Sequence, residues 1–271
     1  MKYKFFTLLI TVVCITPAKI HVGPVCTGIG SWISFNSDNP YYTSYNKLSS
    51  DVYLSYKGWS GFFGIPFQCV VSHRDETKYA FSPGDFNFYI GRRISFVQPR
   101  LGLVFPLWYS TDKGVWLGSK NVILKAGLGF AYSLSADKSW RTGGELYYKY
   151  FIAGFPEIED SWGKRGSWAI DGSVKLVNSS SNRWKLGIEI LGGFRKLYPR
   201  WFRYKNFQGY QLSASCVPHI FASYDVNKRM YLSAKTGFGP SFKREEKNNY
   251  SGKWEHSSNS LNIAISTGFY P

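Results

Sequence analysis

Apolar and polar residues alternate along much of this chain. Between residues 122 and 134 the even positions Val122, Leu124, Ala126, Leu128, Phe130, Tyr132 and Leu134 are oily, whereas the odd positions Ile123, Lys125, Gly127, Gly129, Ala131 and Ser133 are mostly small or charged. Only an extended strand sends alternate side chains to opposite faces, so the segment predicts a strand with one oily and one mixed face. The same period returns in Leu146, Tyr148, Tyr150 and Ile152, in Trp168, Ile170, Val174 and Leu176, in Trp184, Leu186, Ile188 and Ile190, and in Met230, Leu232, Ala234 and Phe238.

Each run lasts roughly ten residues, the length that crosses a bilayer when a strand is tilted, against about five or six for an ordinary soluble strand. A soluble sandwich also alternates, but its outer face is crowded with long polar side chains. Here the mixed face is rich in Gly, Ala and Ser, which suits a narrow interior. Gly127→Ser is accordingly expected to be mild and Leu128→Arg damaging.

Short turns are predicted at 57–61, 95–98, 136–143, 178–182 and 227–228. Long polar or aromatic connections are predicted at 36–50, 73–84, 109–119, 156–166, 196–206 and 243–258. The two kinds alternate, as they do where short periplasmic turns and longer surface loops join the strands of a membrane barrel. Strands then fall at 27–35, 51–57, 61–72, 85–94, 99–108, 120–134, 143–153, 167–177, 183–195, 207–226, 229–242 and 259–269. The segment 207–226 is long enough to hold a bulge or a split. The expected class is all-β, a closed antiparallel up-and-down transmembrane β-barrel of about twelve strands, within a range of roughly ten to fourteen. Trp32, Trp108, Trp168 and Trp184 fall at predicted strand ends, where amphipathic rings favour a membrane boundary.

Leu261, Ile263, Ile265, Thr267 and Phe269 alternate up to an aromatic residue near the C-terminus, with Tyr270 and Pro271 following. This resembles the C-terminal signature of bacterial outer-membrane proteins, whose last strand ends in Phe. The resemblance implies delivery by the barrel-assembly machinery and a place in the bacterial outer membrane, in contact with its lipid and lipopolysaccharide.

The N-terminus agrees. Lys2 and Lys4 precede an apolar run at 5–15, and Thr16, Pro17 and Ala18 supply small residues at the usual cleavage offsets. Residues 1–18 are expected to be a signal peptide and 19–271 the barrel domain. The run is too short to cross a bilayer of ~30 Å, and no other run approaches the ~18 apolar residues of a spanning helix. Aromatic residues are 19% of the 271, a bias toward strands.

Beyond the leader, Cys26, Cys69 and Cys216 remain. Three cysteines cannot all pair and none forms a CxxC-type group, so no disulfide framework, metal site or cofactor is expected. The best acid–base cluster is His219 with Ser215, Ser223 and Asp225 at strand spacing. It is expected to be an inert, hydrogen-bonded lumen group, and the chain is not expected to be an enzyme.

Charge changes the picture more. The formal net charge is +16. The mixed face carries Arg93, Arg100, Lys125, Lys149, Lys175, Lys185 and Lys235, with Asp85, Glu145, Asp171, Glu189 and Asp225 facing the same interior. Opposite charges facing across a narrow barrel are expected to pair and brace it, since unpaired buried charges are costly. A basic surplus in a water-filled path favours anions. Residues 195–207 hold Arg195, Lys196, Arg200, Arg203 and Lys205 with no acid, interleaved with Tyr198, Trp201, Phe202, Tyr204 and Phe207. This is a predicted surface loop with the chemistry to bind lipopolysaccharide phosphates, an anionic solute or an envelope protein. Nucleic acid is not an expected partner outside the cell. The expected function is a small channel or transporter for modest-sized solutes, anionic ones included. The alternatives are a non-conducting barrel that joins an envelope complex or presents loops, and, third, a barrel enzyme acting on lipid or peptide.

Overall fold

A computed structural model describes residues 21–36, 39–73, 77–106, 122–152, 167–179, 183–197, 209–247 and 250–269. The predicted leader, the predicted connections at 109–119 and 156–166, and 198–206 of a third lie outside the described residues. In chain order the strands are β1 (His21–Asn36), β2 (Asn39–Tyr56), β3 (Trp59–His73), β4 (Thr77–Pro83), β5 (Asp85–Arg92), β6 (Val97–Pro106), β7 (Ile123–Ser133), β8 (Trp140–Phe151), β9 (Trp168–Asn178), β10 (Trp184–Leu197), β11 (Gly209–Asn227), β12 (Met230–Lys247), β13 (Tyr250–Ser251) and β14 (Glu255–Phe269).

Neighbours in sequence pair antiparallel, and the pairings β11–β12, β12–β14 and β1–β14 carry the sheet back to its start. β4 and β5 follow one another along β3 on either side of Gly84, and β13 only prolongs the β12 hairpin. Among the described residues the segments therefore form twelve staves, each hydrogen-bonded on both sides. Closure has a physical reason. In hydrocarbon an open edge leaves N–H and C=O groups with no partner, each costing on the order of kcal/mol.

Three predicted long connections are instead strand. Residues 36–50 belong largely to β2, 73–84 contain β4, and 243–258 contain the end of β12, β13 and the start of β14. In sequence these stretches are mostly polar, and they lack the sustained apolar alternation by which a strand is read. A ladder that continues beyond an apolar slab needs no alternation, because water covers both of its faces. β11 is not split and holds one register against β12 until a shift between Asp225 and Asn227. Trp32 lies inside β1 rather than at its end, and Trp108 lies outside the described residues.

Turns at 57–58, 93–96, 134–139 and 228–229 overlap or adjoin the predicted ones. Residues 140–143 of the predicted 136–143 turn are strand, and 180–182 lie outside the described residues. Lys57 (φ 46°) and Gly58 (φ 82°) make a two-residue turn between β2 and β3, with the positive φ that lets a hairpin twist correctly. The Gly58 carbonyl accepts the Arg93 N–H at 2.7 Å, stitching this turn to the next. Between β7 and β8, Asp137 accepts the Ser139 N–H (3.1 Å) and hydroxyl (2.9 Å). Hydrogen bonds from Ser135 and Ser139 hold its carboxyl below the usual range.

The two faces are inverted relative to a water-soluble protein. Leu128 is 51% exposed and Ile188 52%, while Lys125 is 7% and His219 3% exposed. Oil outside and charge inside excludes a sandwich in water and fits a wall solvated by lipid. Aromatic rings edge the outer wall at both ends. Toward the loop end Tyr148, Trp168, Phe194 and Trp254 form a chain with centroids 5.8–6.3 Å apart. Toward the turn end Trp184 meets Tyr224 at 4.9 Å and Phe96 meets Tyr132 at 6.4 Å. Leu124, Leu146, Leu186, Ile188 and Ile220 are among the exposed aliphatic residues of this wall.

Candidate functional site

Side chains of opposite parity enclose the lumen, and the long ones among them lie down along the wall. Arg100 on β6 reaches across β7 to β8, where its Nη1 donates to Glu145 Oε2 and to the Tyr147 hydroxyl, both at 2.8 Å. Its Nε and Nη2 both donate to Gln98 Oε1, and Gln98 donates to the Ser60 hydroxyl. The guanidinium sits 4.8 Å from the Tyr89 ring centroid, and that ring stacks on Phe62 at 5.1 Å. The crossing is open because the stave between has Gly129 there. A Cβ at that position would come within 2.7 Å of the guanidinium carbon.

The device repeats. Lys125 on β7 passes over Gly102 of β6 to donate to Asn87 on β5 at 2.5 Å. His219 on β11 lies over Gly237 of β12, with its Nε2 3.2 Å from Asn262 Nδ2 on β14. Lumen glycines are thus seats for a neighbour's long side chain, not merely small groups in a tight space. Such flat packing also uses the apolar stems of Lys and Arg.

The remaining charges pair in the same way. Lys149 bonds Asp171 at 2.6 Å, and Arg195 stands 3.6 Å from the other oxygen of that carboxylate. Lys185 bonds Asp225 at 2.8 Å, and Lys235 bonds Glu189. These described pairs join adjacent staves or staves one apart, correcting the expectation that they brace the barrel from side to side. Lys175 is the register partner of Glu189, whose carboxylate is taken by Lys235. Lys175 and Lys125 therefore make no ion pair among the described residues.

Two expected site residues sit elsewhere. Arg93 is in the turn after β5 rather than on a strand, its Nε donating to the Ser95 carbonyl at 3.0 Å, and it lines the cavity at the turn end with Arg100. Lys196 is not in a loop: it belongs to β10 and packs on the outer face, 3.9 Å from the Tyr210 ring centroid. Arg195 lies on the same strand and faces the lumen. Arg200, Trp201, Arg203 and Lys205 lie outside the described residues. Asp85 opens β5 opposite Pro106. The cluster around His219 is not assembled: its Nδ1 is 3.0 Å from the Val217 carbonyl, and Asp225 is held by Lys185. Reading by parity also missed Tyr89, Tyr147 and Asn87 as lumen groups, although each falls on the mixed face of its strand.

Arg100 measures how firmly this wall is set. Its side chain is 16% exposed, but that of Glu145 is 44%, so water reaches the pair. Arg100→Gln is expected to cost about 1–2 kcal/mol, below the roughly 3–5 of a fully buried broken pair. Urea unfolding of the detergent-solubilised barrel measures it.

Two cavities adjoin this wall. One of about 620 Å³ at the turn end is lined by Tyr53, Ser60, Tyr89, Gln98 and Arg100 among others. Another of about 370 Å³ is lined by Lys125, Glu145, Tyr147, Lys149, Asp171 and Arg195 among others. The Arg100–Glu145 bond joins a residue lining the first to one lining the second.

An outer membrane channel from Pseudomonas putida F1 shares this architecture, with a TM-score of 0.57 and 12% identity over 94% of this chain and 100% of that one. The NanC porin gives 0.45 at 10% identity, over 89% of this chain and 98% of its own. A mutant of the TodX monoaromatic hydrocarbon channel gives 0.45 at 8%, over 94% and 91%. No protein-family model matches the sequence, and no curated protein matches it. The protein has a closed β-barrel fold shared with the outer-membrane channel from Pseudomonas putida F1. At these identities the likeness is one of fold.

Proposed function

We propose that this chain forms a water-filled channel in a bacterial outer membrane, passing modest-sized solutes and favouring anions. The observation that carries the reading is the flat lumen wall. Arginine and lysine side chains long enough to reach toward the axis are folded sideways over glycines and tied to neighbouring staves, so among the described residues these side chains do not fill the axis. Fixed charges held in rings along such a path select ions by sign. The surplus among the described lumen charges is positive, with Lys125 and Lys175 lacking an acid partner. Outer-membrane placement is supported by the inverted faces and by the fold shared with that outer-membrane channel.

Purified protein in planar bilayers is expected to show discrete conductance steps, with a reversal potential in a KCl gradient that favours chloride. Lys175→Glu is expected to move that potential toward cations, and less so as salt rises, because screening shortens to about 3 Å at 1 M. A folded barrel without conductance would instead favour a non-conducting partner or loop-presenting role.

A further inference from the structure

We infer that the lumen cavity around Lys125, Lys149 and Arg195 is a binding station for a small doubly charged oxyanion, an inference that rests on the channel reading. Lys125 and Lys149 are register partners on the antiparallel pair β7–β8, directly opposite one another. Like charges so placed destabilise a sheet unless something compensates them. Lys149 has Asp171 at 2.6 Å. Lys125 has the neutral Asn87 amide oxygen and, 5.4 Å from its ammonium, the Tyr147 ring centroid, but no carboxylate among the described residues, although it is nearly buried.

Arg195 adds a third cation to the same lining. It shares Asp171 from 3.6 Å, beyond hydrogen-bond reach, and Asp171 Oδ1 receives no hydrogen bond. The other acid of the lining, Glu145, already bonds Arg100. One carboxylate is therefore left for three cations, a formal surplus of two. Chloride would cancel half of it. A dianion cancels all of it and offers several oxygens to donors on separate staves. Ser173 and Ser215 line the cavity with hydroxyls, and about 370 Å³ admits a phosphate monoester or a short dicarboxylate.

The test is block of chloride current through the full-length protein at fixed ionic strength, with acetate, sulfate, methyl phosphate and succinate as probes. Sulfate and at least one of the other dianions are expected to half-block at concentrations about tenfold below acetate. Lys125→Gln is expected to raise that concentration about tenfold. Lys138→Gln, in an exposed turn, should leave it alone. The ranking of methyl phosphate against succinate separates a phosphoryl from a dicarboxylate ligand. Equal block by acetate and the dianions, or block indifferent to Lys125→Gln, overturns the station while the channel stands. Folded protein that carries no current overturns the channel. Calorimetric titration of sulfate into the same detergent-solubilised protein, with and without Lys125→Gln, then decides the station: heat lost in the variant supports it, and no heat in either refutes it.

Discussion

Leu128→Arg is expected to cost roughly 2–4 kcal/mol and to sharply reduce the yield of assembled barrel. Leu128 is central in β7, on the outer wall, and 51% exposed where lipid must cover it. An arginine there must either place its charge in hydrocarbon or pull its strand toward an interface. Ala131→Ser, on the lumen side of the same strand, is expected to stay within about 0.5 kcal/mol. Comparing the folded fractions of the two variants by their mobility in unheated gels measures the contrast. Equal tolerance would mean that the wall does not face lipid.

Gly127→Val, on the lumen side, is expected to cost about 1–3 kcal/mol from overpacking. A Cβ at Gly127 would come within 2.4 Å of both the Leu146 carbonyl oxygen and the Tyr147 ring. One is backbone. The other is a ring whose hydroxyl accepts a hydrogen bond from Arg100, so neither yields without loss. This overturns the expectation that Gly127→Ser is mild: serine brings the same Cβ and should also destabilise. A urea midpoint unchanged in both variants would show that the ring moves freely and that no seat exists.

These two neighbours mark what was legible in the sequence. Leu128 is readable because lipid imposes one rule on every outward position of a spanning strand, so period-two alternation identifies it without knowledge of its neighbours. Gly127 is not, because its role depends on Tyr147, which lies opposite only once the β7–β8 register is set. Arg100 and Glu145 were both recognisable as lumen charges. Their partnership was not, since it skips a stave and needs a glycine between. The strand portions of 36–50 and 243–258 were misread for the converse reason: beyond the slab, lipid imposes no rule on side chains. The two-residue turn at Lys57 and Gly58 was visible because its backbone demands a residue that tolerates positive φ.

The pairing of β1 with β14 also bears on how the barrel forms. Most other ladders join segments that follow one another along the chain, so they can zip up as hairpins with little loop entropy to overcome. Only the Val25–Phe269 ladder joins the two ends of the described chain. Contact order is concentrated in that one seam. Until it closes, the molecule is a curled sheet with two bare edges, open to strand exchange with another copy or to capture by an assembly factor. The slowest step should therefore be the meeting of first and last strands, and the same seam is where a strained barrel would part.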